Sequence, residues 1–170
     1  MVESSPIFSA MRRAKESPVC IEVESGLSEQ RGADYAVIEI RGDVDRPVGE
    51  VWPIVGGFFD LDKWLGVPCV AQSGDGGIGS IRLVGDAIIE PMIGATQYSY
   101  TYAQTEGPMA PFFYHGTVAC EGRGEARATI VYTLVYDQSS MDAQKRASER
   151  TRIEARFGGA IEAMKRAVLA

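Results

Sequence analysis

The first clear hydrophobic pattern along the chain is an alternation in the segment YAVIEIRGDVD. Ala36, Ile38 and Ile40 occupy every second position of this segment. Successive side chains of a β-strand point to opposite faces, so this period of two is typical of a strand with one buried face. The pattern predicts a first strand whose even-numbered residues face the core.

Two short helices are predicted after this strand. Val51 and Val55 lie four residues apart, and Pro47 suits the first turn of a helix. Pro53 and the two glycines that follow Val55 argue against one long helix. We therefore expect a break and then a second short helix that carries Trp64.

Five further strands are predicted between residue 80 and residue 137, after a glycine-rich turn that spans Ser73 to Ser80. Strands that follow one another through short turns most economically pair as an antiparallel meander. The five segments are GSIRLVG, AIIEPM, TQYSYTYAQ, FFYHGTVACE and ATIVYTLVYD.

The last thirty residues predict one long helix, because a single apolar stripe runs along them. This helix has only the sheet to bury its stripe against, so the sheet is expected to curl around it and to leave space between the two. The stripe consists of Ile153, Phe157, Ile161, Met164 and Val168.

The pattern divides the chain into an N-terminal extension, residues 1–34, and one α+β domain, residues 35–170. Residues 1–34 read as a short amphipathic segment followed by a polar connector. The sequence does not reveal whether they cover a pocket or mediate pairing between subunits. It also leaves the oligomeric state open, with a homodimer among the alternatives.

Composition and charge exclude several classes of partner. Hydrophobic residues make up 45% of the chain and charged residues 24%, the balance of a soluble globular protein. The net charge of −6, without a basic stripe, argues against nucleic acid. Apolar runs are too short to span a bilayer, and no secretory signal is visible. We expect a cytoplasmic protein.

A metal site or other cofactor is not expected either. The single histidine, His115, rules out a multi-histidine centre, and the three cysteines are too widely spaced for a metal knuckle. The glycines of GDGGIGS precede a strand and no Lys follows them, so they form a hairpin turn and not a phosphate loop. The expected cofactor is none.

Four segments in a fixed order carry a resemblance: RPVGEVWPIVGGFFDLDKWLG, GDGGIGSIRLV, IIEPM and YSYTYAQTEGPMAPFFYHGTV. From about residue 36 to the C-terminus, the chain resembles the START/Bet v 1-like superfamily, also called SRPBCC or polyketide cyclase/dehydrase-like. The resemblance implies the helix-grip fold, a curved antiparallel sheet wrapped around a long C-terminal helix, with a cavity between them. Its members include carriers, receptors and cyclases, so fold leaves function open.

A row of tyrosines is the most unusual feature of the predicted cavity wall. Tyr98, Tyr100 and Tyr102 stand at two-residue spacing and share one face of a strand. By the same count Tyr114 and Tyr132 on the next strands also face inward. Such a wall suits an aromatic ligand, because phenols both stack and donate hydrogen bonds. The alternative is a solid core in which the phenols bond to one another.

Glu90 is the first candidate for catalysis. It stands where the family has a glutamate, and the resemblance suggests a carboxylate that points into the cavity. Buried there, it would have a raised pKa and could act as general acid or base; the alternative is a solvated glutamate at the rim. Arg82 resembles the family's arginine after the glycine turn and would bind an anionic group of the ligand, unless it forms a structural salt bridge.

His115 and the charged end of the long helix are further candidates. Strand parity points His115 to the outer face, but a β-bulge would turn it inward as a proton shuttle. Arg150 continues the helix stripe toward its N-terminal end and would meet an anionic ligand at the cavity mouth, unless it simply faces water. The predicted catalytic residues are Glu90, His115 and Tyr100, and the predicted ligand-binding residues are Arg82, Tyr98, Tyr102, Tyr114, Tyr132, Trp64, Phe157 and Arg150.

Two functions remain open from the sequence. One is a cofactor-free lyase or cyclase that acts on a small aromatic or polyketide-like substrate by acid/base catalysis, with tyrosine hydroxyls stabilising an intermediate. The other is a carrier or sensor that binds a hydrophobic or aromatic molecule without changing it. Both would use the same cavity.

Overall fold

One seven-stranded antiparallel sheet packs against three helices in a computed structural model that describes residues 32–170. The predicted extension, residues 1–34, lies outside the described residues except for its last three positions, so its role stays a prediction. The strands are β1 (Tyr35–Val44), β2 (Cys69–Ser73), β3 (Ile81–Val84), β4 (Ile88–Thr96), β5 (Ser99–Ala103), β6 (His115–Gly122) and β7 (Ala128–Asp137). The helices are α1 (Val48–Val55), α2 (Leu61–Leu65) and α3 (Ala143–Leu169).

The strands follow the predicted meander. They lie in the order β1-β7-β6-β5-β4-β3-β2, so every strand from β2 to β7 pairs with its neighbour in sequence and β1 pairs with β7. The α+β helix-grip fold is thereby confirmed. No helix within residues 32–170 combines the length and the apolar composition needed to cross a membrane.

Two details of the sheet were not predicted. β2 was missed because four of its five residues are exposed and show no alternation. The segment FFYHGTVACE joins the sheet only from His115, since residues Ala110–Phe112 form a 3-10 turn that ends at Phe113 in the left-handed conformation, φ 51°. This turn brings the loop between β5 and β6 over the end of the sheet.

The long helix buries the predicted stripe against the concave face. All five residues of the stripe, from Ile153 to Val168, are buried. Gly42 of β1 permits the close approach, because a Cβ atom there would lie 2.5 Å from Ile161 and 2.9 Å from Lys165. The N-terminus of α3 is capped by Asp142, whose carboxylate accepts a hydrogen bond from the backbone N–H of Lys145 at 2.7 Å.

A β-bulge in β4 adjusts which residues face inward. Met92 pairs with Tyr102 and Gly94 pairs with Thr101, so Ile93 has no partner on β5 and lies exposed. Glu90 and Met92, before the bulge, are both buried on the concave side. The bulge therefore bends the sheet after Met92, and Glu90 remains on the inner face.

Candidate functional site

A cavity of about 360 Å³ lies between α3, the concave face of the sheet and the loop between β5 and β6. Sites for small molecules commonly begin near 300 Å³, so this volume suits a compact ligand. Its apolar wall includes Phe157 from the helix stripe and Met109 and Phe112 from the loop. The polar residues that line it are Glu90, Tyr102, Gln104, Tyr114, Lys145, Glu149, Arg152 and Arg156.

Glu90 and Arg82 form a buried ion pair at the inner end of this cavity. They face each other on paired strands, since Arg82 of β3 is the register partner of Glu90 on β4. The Arg82 Nε donates to Glu90 Oε2 at 2.8 Å, and Arg82 Nη2 lies 2.7 Å from the same oxygen. Both guanidinium contacts go to Oε2, so Arg82 leaves Oε1 unengaged.

The Arg82 side chain is enclosed by protein. Its exposed fraction is 0%, and its Nη1 donates to the backbone carbonyl of Phe58 at 2.7 Å. Its Cζ lies 4.4 Å from the ring centroid of Phe58 and 4.5 Å from that of Tyr102, within the range of cation–π interaction. Arg82 does not line the cavity, because its guanidinium is occupied by Glu90. This arrangement is the structural salt bridge that the sequence left open as the alternative to direct contact with a ligand.

The electrostatics of the pair follow from its burial. Desolvation raises the pKa of the Glu90 carboxyl above its ordinary value, and the Arg82 guanidinium opposes part of that rise. Burial acts to lower the pKa of Arg82, but the Glu90 carboxylate and the surrounding tyrosines together more than offset burial and raise it. Arg82 therefore stays charged, and Glu90 is a carboxylate whose proton affinity is higher than that of an exposed glutamate.

Phenol hydroxyls continue the polar surface beside Glu90. The Tyr102 and Tyr132 hydroxyls lie 3.1 Å apart and share a hydrogen bond, and Tyr114 lines the cavity next to Tyr102, with ring centroids 6.4 Å apart. Burial raises the pKa of all three phenols, so they are neutral at physiological pH. Gly116, the register partner of Tyr102, leaves room for its ring, since a Cβ there would lie 2.6 Å from the hydroxyl oxygen.

Charged residues of α3 rim the mouth of the cavity. Glu149 accepts from Lys145 Nζ at 2.7 Å, and its other carboxylate oxygen lies 2.7 Å from Arg152 Nη2. Hydrogen bonding from Lys145 lowers the pKa of Glu149. Arg156, one helical turn after Arg152, is exposed and also lines the cavity.

Several predicted site residues lie elsewhere. His115 is on the convex side of the sheet, where its Nδ1 lies 3.0 Å from the carbonyl oxygen of Phe113, and it does not line the cavity. A bulge in β6 would have turned His115 inward, but the pairing of β6 with β5 is regular and the bulge described above lies in β4. His115 therefore lies on the outer face to which strand parity points, away from the cavity in which it was predicted to act as a proton shuttle.

Arg150 is also outside the cavity. Its guanidinium pairs with Glu154 at 3.0 Å and donates to the carbonyl of Val37 at 3.3 Å, which holds it over the β1 edge of the sheet. Tyr98 is half-buried in the turn before β5 and accepts a hydrogen bond from Gln97 Nε2. Neither residue contacts the cavity, because each lies beyond the end of the row that it was predicted to continue.

Tyr100, Trp64 and Tyr132 are buried but belong to the core behind the cavity wall. Tyr100 packs edge-on against Phe58, with ring centroids 5.5 Å apart. The solid-core interpretation therefore holds for this part of the tyrosine row, and the cavity interpretation holds for Tyr102 and Tyr114. Tyr132 reaches the cavity only through its hydrogen bond to Tyr102.

The sequence analysis missed Gln104, Arg152 and Arg156. Gln104 anchors the loop by accepting from the backbone N–H of Met109 at 2.7 Å. Arg152 and Arg156 each precede a stripe residue, Ile153 and Phe157, so the helical spacing placed them beside the stripe. That spacing places them next to the buried stripe but does not show that a cavity lies beside them.

No group of three or more His, Cys, Asp or Glu side chains within residues 32–170 is arranged to hold a metal ion. The two cysteines of this range, Cys69 and Cys120, are free thiols.

Comparison with known proteins identifies the architecture. No protein-family model matches the sequence, and no curated protein sequence matches it. Among solved structures, norcoclaurine synthase from Thalictrum flavum, in complex with dopamine and hydroxybenzaldehyde, is similar with a TM-score of 0.62 and 17% identity over 81% of this chain and 88% of that one.

Two further structures show the same likeness. Ara h 8.0201 has a TM-score of 0.61 and 13% identity over 80% of this chain and 99% of that one. A protein from Nitrosospira multiformis has a TM-score of 0.64 and 16% identity over 76% of this chain and 94% of that one. At these identities the likeness shows the fold alone, and the chain has the Bet v 1-like fold.

Proposed function

We propose that this protein is a cofactor-free enzyme of the lyase or cyclase type, which encloses a small aromatic molecule and moves a proton on it with Glu90. The observation that carries the proposal is the placement of the Glu90 carboxylate. Its Oε2 is fixed by Arg82, and the residue lines the inner end of a cavity whose wall there is aromatic and aliphatic. A positioned carboxylate of raised pKa is suited to act as a general base and then as the conjugate acid.

The proposed step uses the two oxygens of Glu90 differently. Oε1 takes a proton from a carbon or hydroxyl group of the substrate, and the electron pair of that bond moves into the conjugated system of the substrate. The protonated carboxyl then returns the proton to the product. Arg82 holds the carboxylate in position throughout, which reduces the entropy lost in reaching the reactive geometry.

The phenols supply the second requirement of such a step, stabilisation of developing negative charge. Tyr114 lines the cavity, and its raised pKa keeps the hydroxyl protonated and able to donate a hydrogen bond. A preorganised donor in a water-poor site stabilises an enolate or phenolate oxygen. The Tyr102 hydroxyl is partly used by Tyr132, so Tyr114 is the proposed donor.

The structural neighbours support an aromatic ligand. Norcoclaurine synthase, which has the same fold, is known in complex with dopamine and hydroxybenzaldehyde, both small phenols. A cavity of about 360 Å³ accommodates a ligand of one or two rings. The proposed substrate is therefore a compact aromatic molecule and not a long lipid.

A carrier that binds such a molecule without changing it is the second candidate. The tight pairing of Glu90 Oε2 with the fully buried Arg82 favours it, since an ion pair of this kind also serves to neutralise two charges inside a fold. The two candidates share the ligand and differ in whether Glu90 exchanges a proton with it.

Turnover and binding measured on the same variants distinguish these functions. A panel of small phenols, aryl aldehydes and aryl ketones is tested with wild type, Glu90→Gln, and Glu125→Gln, a surface control in the turn between β6 and β7. The enzyme is supported if wild type and Glu125→Gln convert a panel member and Glu90→Gln loses about 10²-fold or more in rate while still binding it. Binding by all three proteins without conversion by wild type supports the carrier.

A further inference from the structure

The mouth of the cavity carries positive charge that the proposed proton transfer does not use. Lys145, Arg152 and Arg156 line the mouth together with one carboxylate, that of Glu149, whereas the other lining carboxylate, Glu90, lies at the inner end. Three cations and one anion leave an excess of two positive charges, in a chain whose net charge is −6. Because an acidic chain is kept soluble by its negative charge, this cluster of cations needs a different explanation.

The three cations differ in whether they have an acidic partner. Glu149 bridges Lys145 and Arg152, with contacts of 2.7 Å to each. Arg156 has no ion pair within residues 32–170. Among the residues that the structure describes, this guanidinium with its five N–H donors therefore lies at the mouth without an acidic partner.

The inner end of the cavity contrasts with this mouth, because the charges of Arg82 and Glu90 cancel there. Desolvation is the main cause of the raised pKa of Glu90, and the positive charges of Arg82 and, to a smaller degree, Arg156 oppose it. The cavity thus runs from a neutral inner end to a cationic mouth, with an aromatic and aliphatic wall between them.

We infer that the ligand is an aromatic anion, whose ring system lies inward against Tyr102, Tyr114 and Phe157 and whose carboxylate or comparable group lies at the mouth against Arg152 and Arg156. The inference rests on the proposed function, since it assigns the chemistry of the molecule that fills the same cavity. Arginine binds carboxylates through paired, charge-assisted hydrogen bonds, and the partly desolvated mouth strengthens that attraction.

Charge also fixes the orientation of such a ligand. An anionic group at the inner end would lose its hydration and meet the Glu90 carboxylate, whose ion-pair partner Arg82 is already engaged at Oε2. At the mouth the same group meets a cation without a partner and remains close to water. The atom that exchanges a proton with Glu90 therefore belongs to the end of the ring system opposite the anionic group.

A matched pair of probes tests this assignment. Naphthalene-2-carboxylate and naphthalene-2-carboxamide have nearly the same shape and differ in charge. We expect wild type to bind the carboxylate about tenfold more tightly at low salt, as measured by isothermal titration calorimetry, with the preference shrinking at high salt. Arg156→Gln should remove most of the preference by weakening carboxylate binding while amide binding stays the same.

Two further variants complete the design. Arg166→Gln removes an exposed arginine near the C-terminal end of the same helix, away from the cavity, and should change neither affinity. Glu149→Gln frees Lys145 and Arg152 from their shared carboxylate and should tighten carboxylate binding by about threefold or more, again without effect on the amide. Opposite changes from Arg156→Gln and Glu149→Gln are the result that supports an anion at the mouth.

The possible failures differ. If wild type binds the two probes equally, or if Arg156→Gln weakens both to the same degree, the anionic ligand is overturned and the aromatic cavity of the proposed function stands. If wild type binds neither probe at concentrations up to about 1 mM, the proposed function fails together with the inference.

Discussion

Glu90 and Glu149 line the same cavity and both pair with arginine, but the two ion pairs differ in exposure. The Glu90 side chain is 6% exposed and its partner Arg82 is 0% exposed. The Glu149 side chain is 10% exposed, whereas its partners Lys145 and Arg152 are 53% and 50% exposed. Water can therefore solvate Lys145 and Arg152 if Glu149 is removed, and cannot do the same for either partner at the inner end.

This difference in exposure means that substitutions at the two ends of the cavity should have different costs in stability. Removing one partner of a buried pair leaves an uncompensated charge in a poorly solvated place, which is strongly destabilising. Removing one partner of an exposed pair costs little, because solvent screens the remaining charge. Substitutions at the mouth can thus change ligand preference without endangering the fold.

Arg82→Met should have the largest effect on stability. It leaves Glu90 buried without its cation, and we expect a loss of about 3–5 kcal/mol in the free energy of unfolding, measured by urea denaturation. The double variant Arg82→Met with Glu90→Leu removes both charges and should recover most of that loss. A single variant that loses less than about 1 kcal/mol would contradict the proposed contrast between the two pairs.

Gly116→Ala tests how closely the inner end is packed. The added methyl would lie 2.6 Å from the Tyr102 hydroxyl oxygen, so the ring must shift and its hydrogen bond to Tyr132 must weaken. We expect a loss of about 1–3 kcal/mol in urea denaturation. Gly159→Ala is the control, since nothing lies within 4 Å of its Cβ position in α3 and alanine should there stabilise the helix by up to about 1 kcal/mol.

The pH dependence of stability should have opposite signs for the two glutamates. Burial raises the pKa of Glu90, so the folded protein holds this proton more tightly than the unfolded chain does. The contribution of Glu90 to stability therefore falls as the pH rises from the ordinary glutamate pKa to the raised pKa of the folded state. Hydrogen bonding from Lys145 lowers the pKa of Glu149. The contribution of Glu149 is therefore present above the ordinary value and lost as the pH falls through the lowered one.

Urea denaturation of wild type, Glu90→Gln and Glu149→Gln between about pH 3 and pH 7 measures both contributions. Relative to wild type, Glu90→Gln should gain stability as the pH rises and Glu149→Gln should lose it. If the stability of the two variants relative to wild type changes with pH in the same direction, the pKa values of Glu90 and Glu149 are not shifted in opposite directions.

Arg150→Gln should have the smallest effect. Arg150 and its partner Glu154 are each about half exposed, and the pair lies on the helix surface away from the cavity. We expect a change of less than about 0.5 kcal/mol in the free energy of unfolding. A larger loss in urea denaturation would mean that the bond from Arg150 to the carbonyl of Val37 holds α3 on the sheet.

Local patterns were sufficient to predict most of the fold. The period of two in β1 and the stripe of α3 each arise from burial on one face, and the structure confirms both. β2 was not predicted because an exposed edge strand carries no such signal, and the bulge at Ile93 is a register shift between two strands that the hydrophobic pattern of β4 alone does not report.

The candidate site was less accessible from the sequence. Glu90, Tyr102 and Tyr114 were identified because strand parity and the family resemblance pointed to the same face. Arg152 and Arg156 look like ordinary exposed helix residues, and only the distance between α3 and the sheet shows that they rim a cavity. Which members of an inward-facing row reach the cavity depends on packing between distant segments, and no local pattern reports that distance.

The position of the cavity mouth also has a consequence for the speed of ligand exchange. The mouth is rimmed by long, exposed side chains of α3, chiefly Lys145, Arg152 and Arg156. Exposed side chains change rotamer within picoseconds to nanoseconds, whereas displacement of packed elements takes microseconds or longer. Entry and departure of a small molecule can therefore proceed through rotations of three side chains, while the helix and the sheet stay at rest.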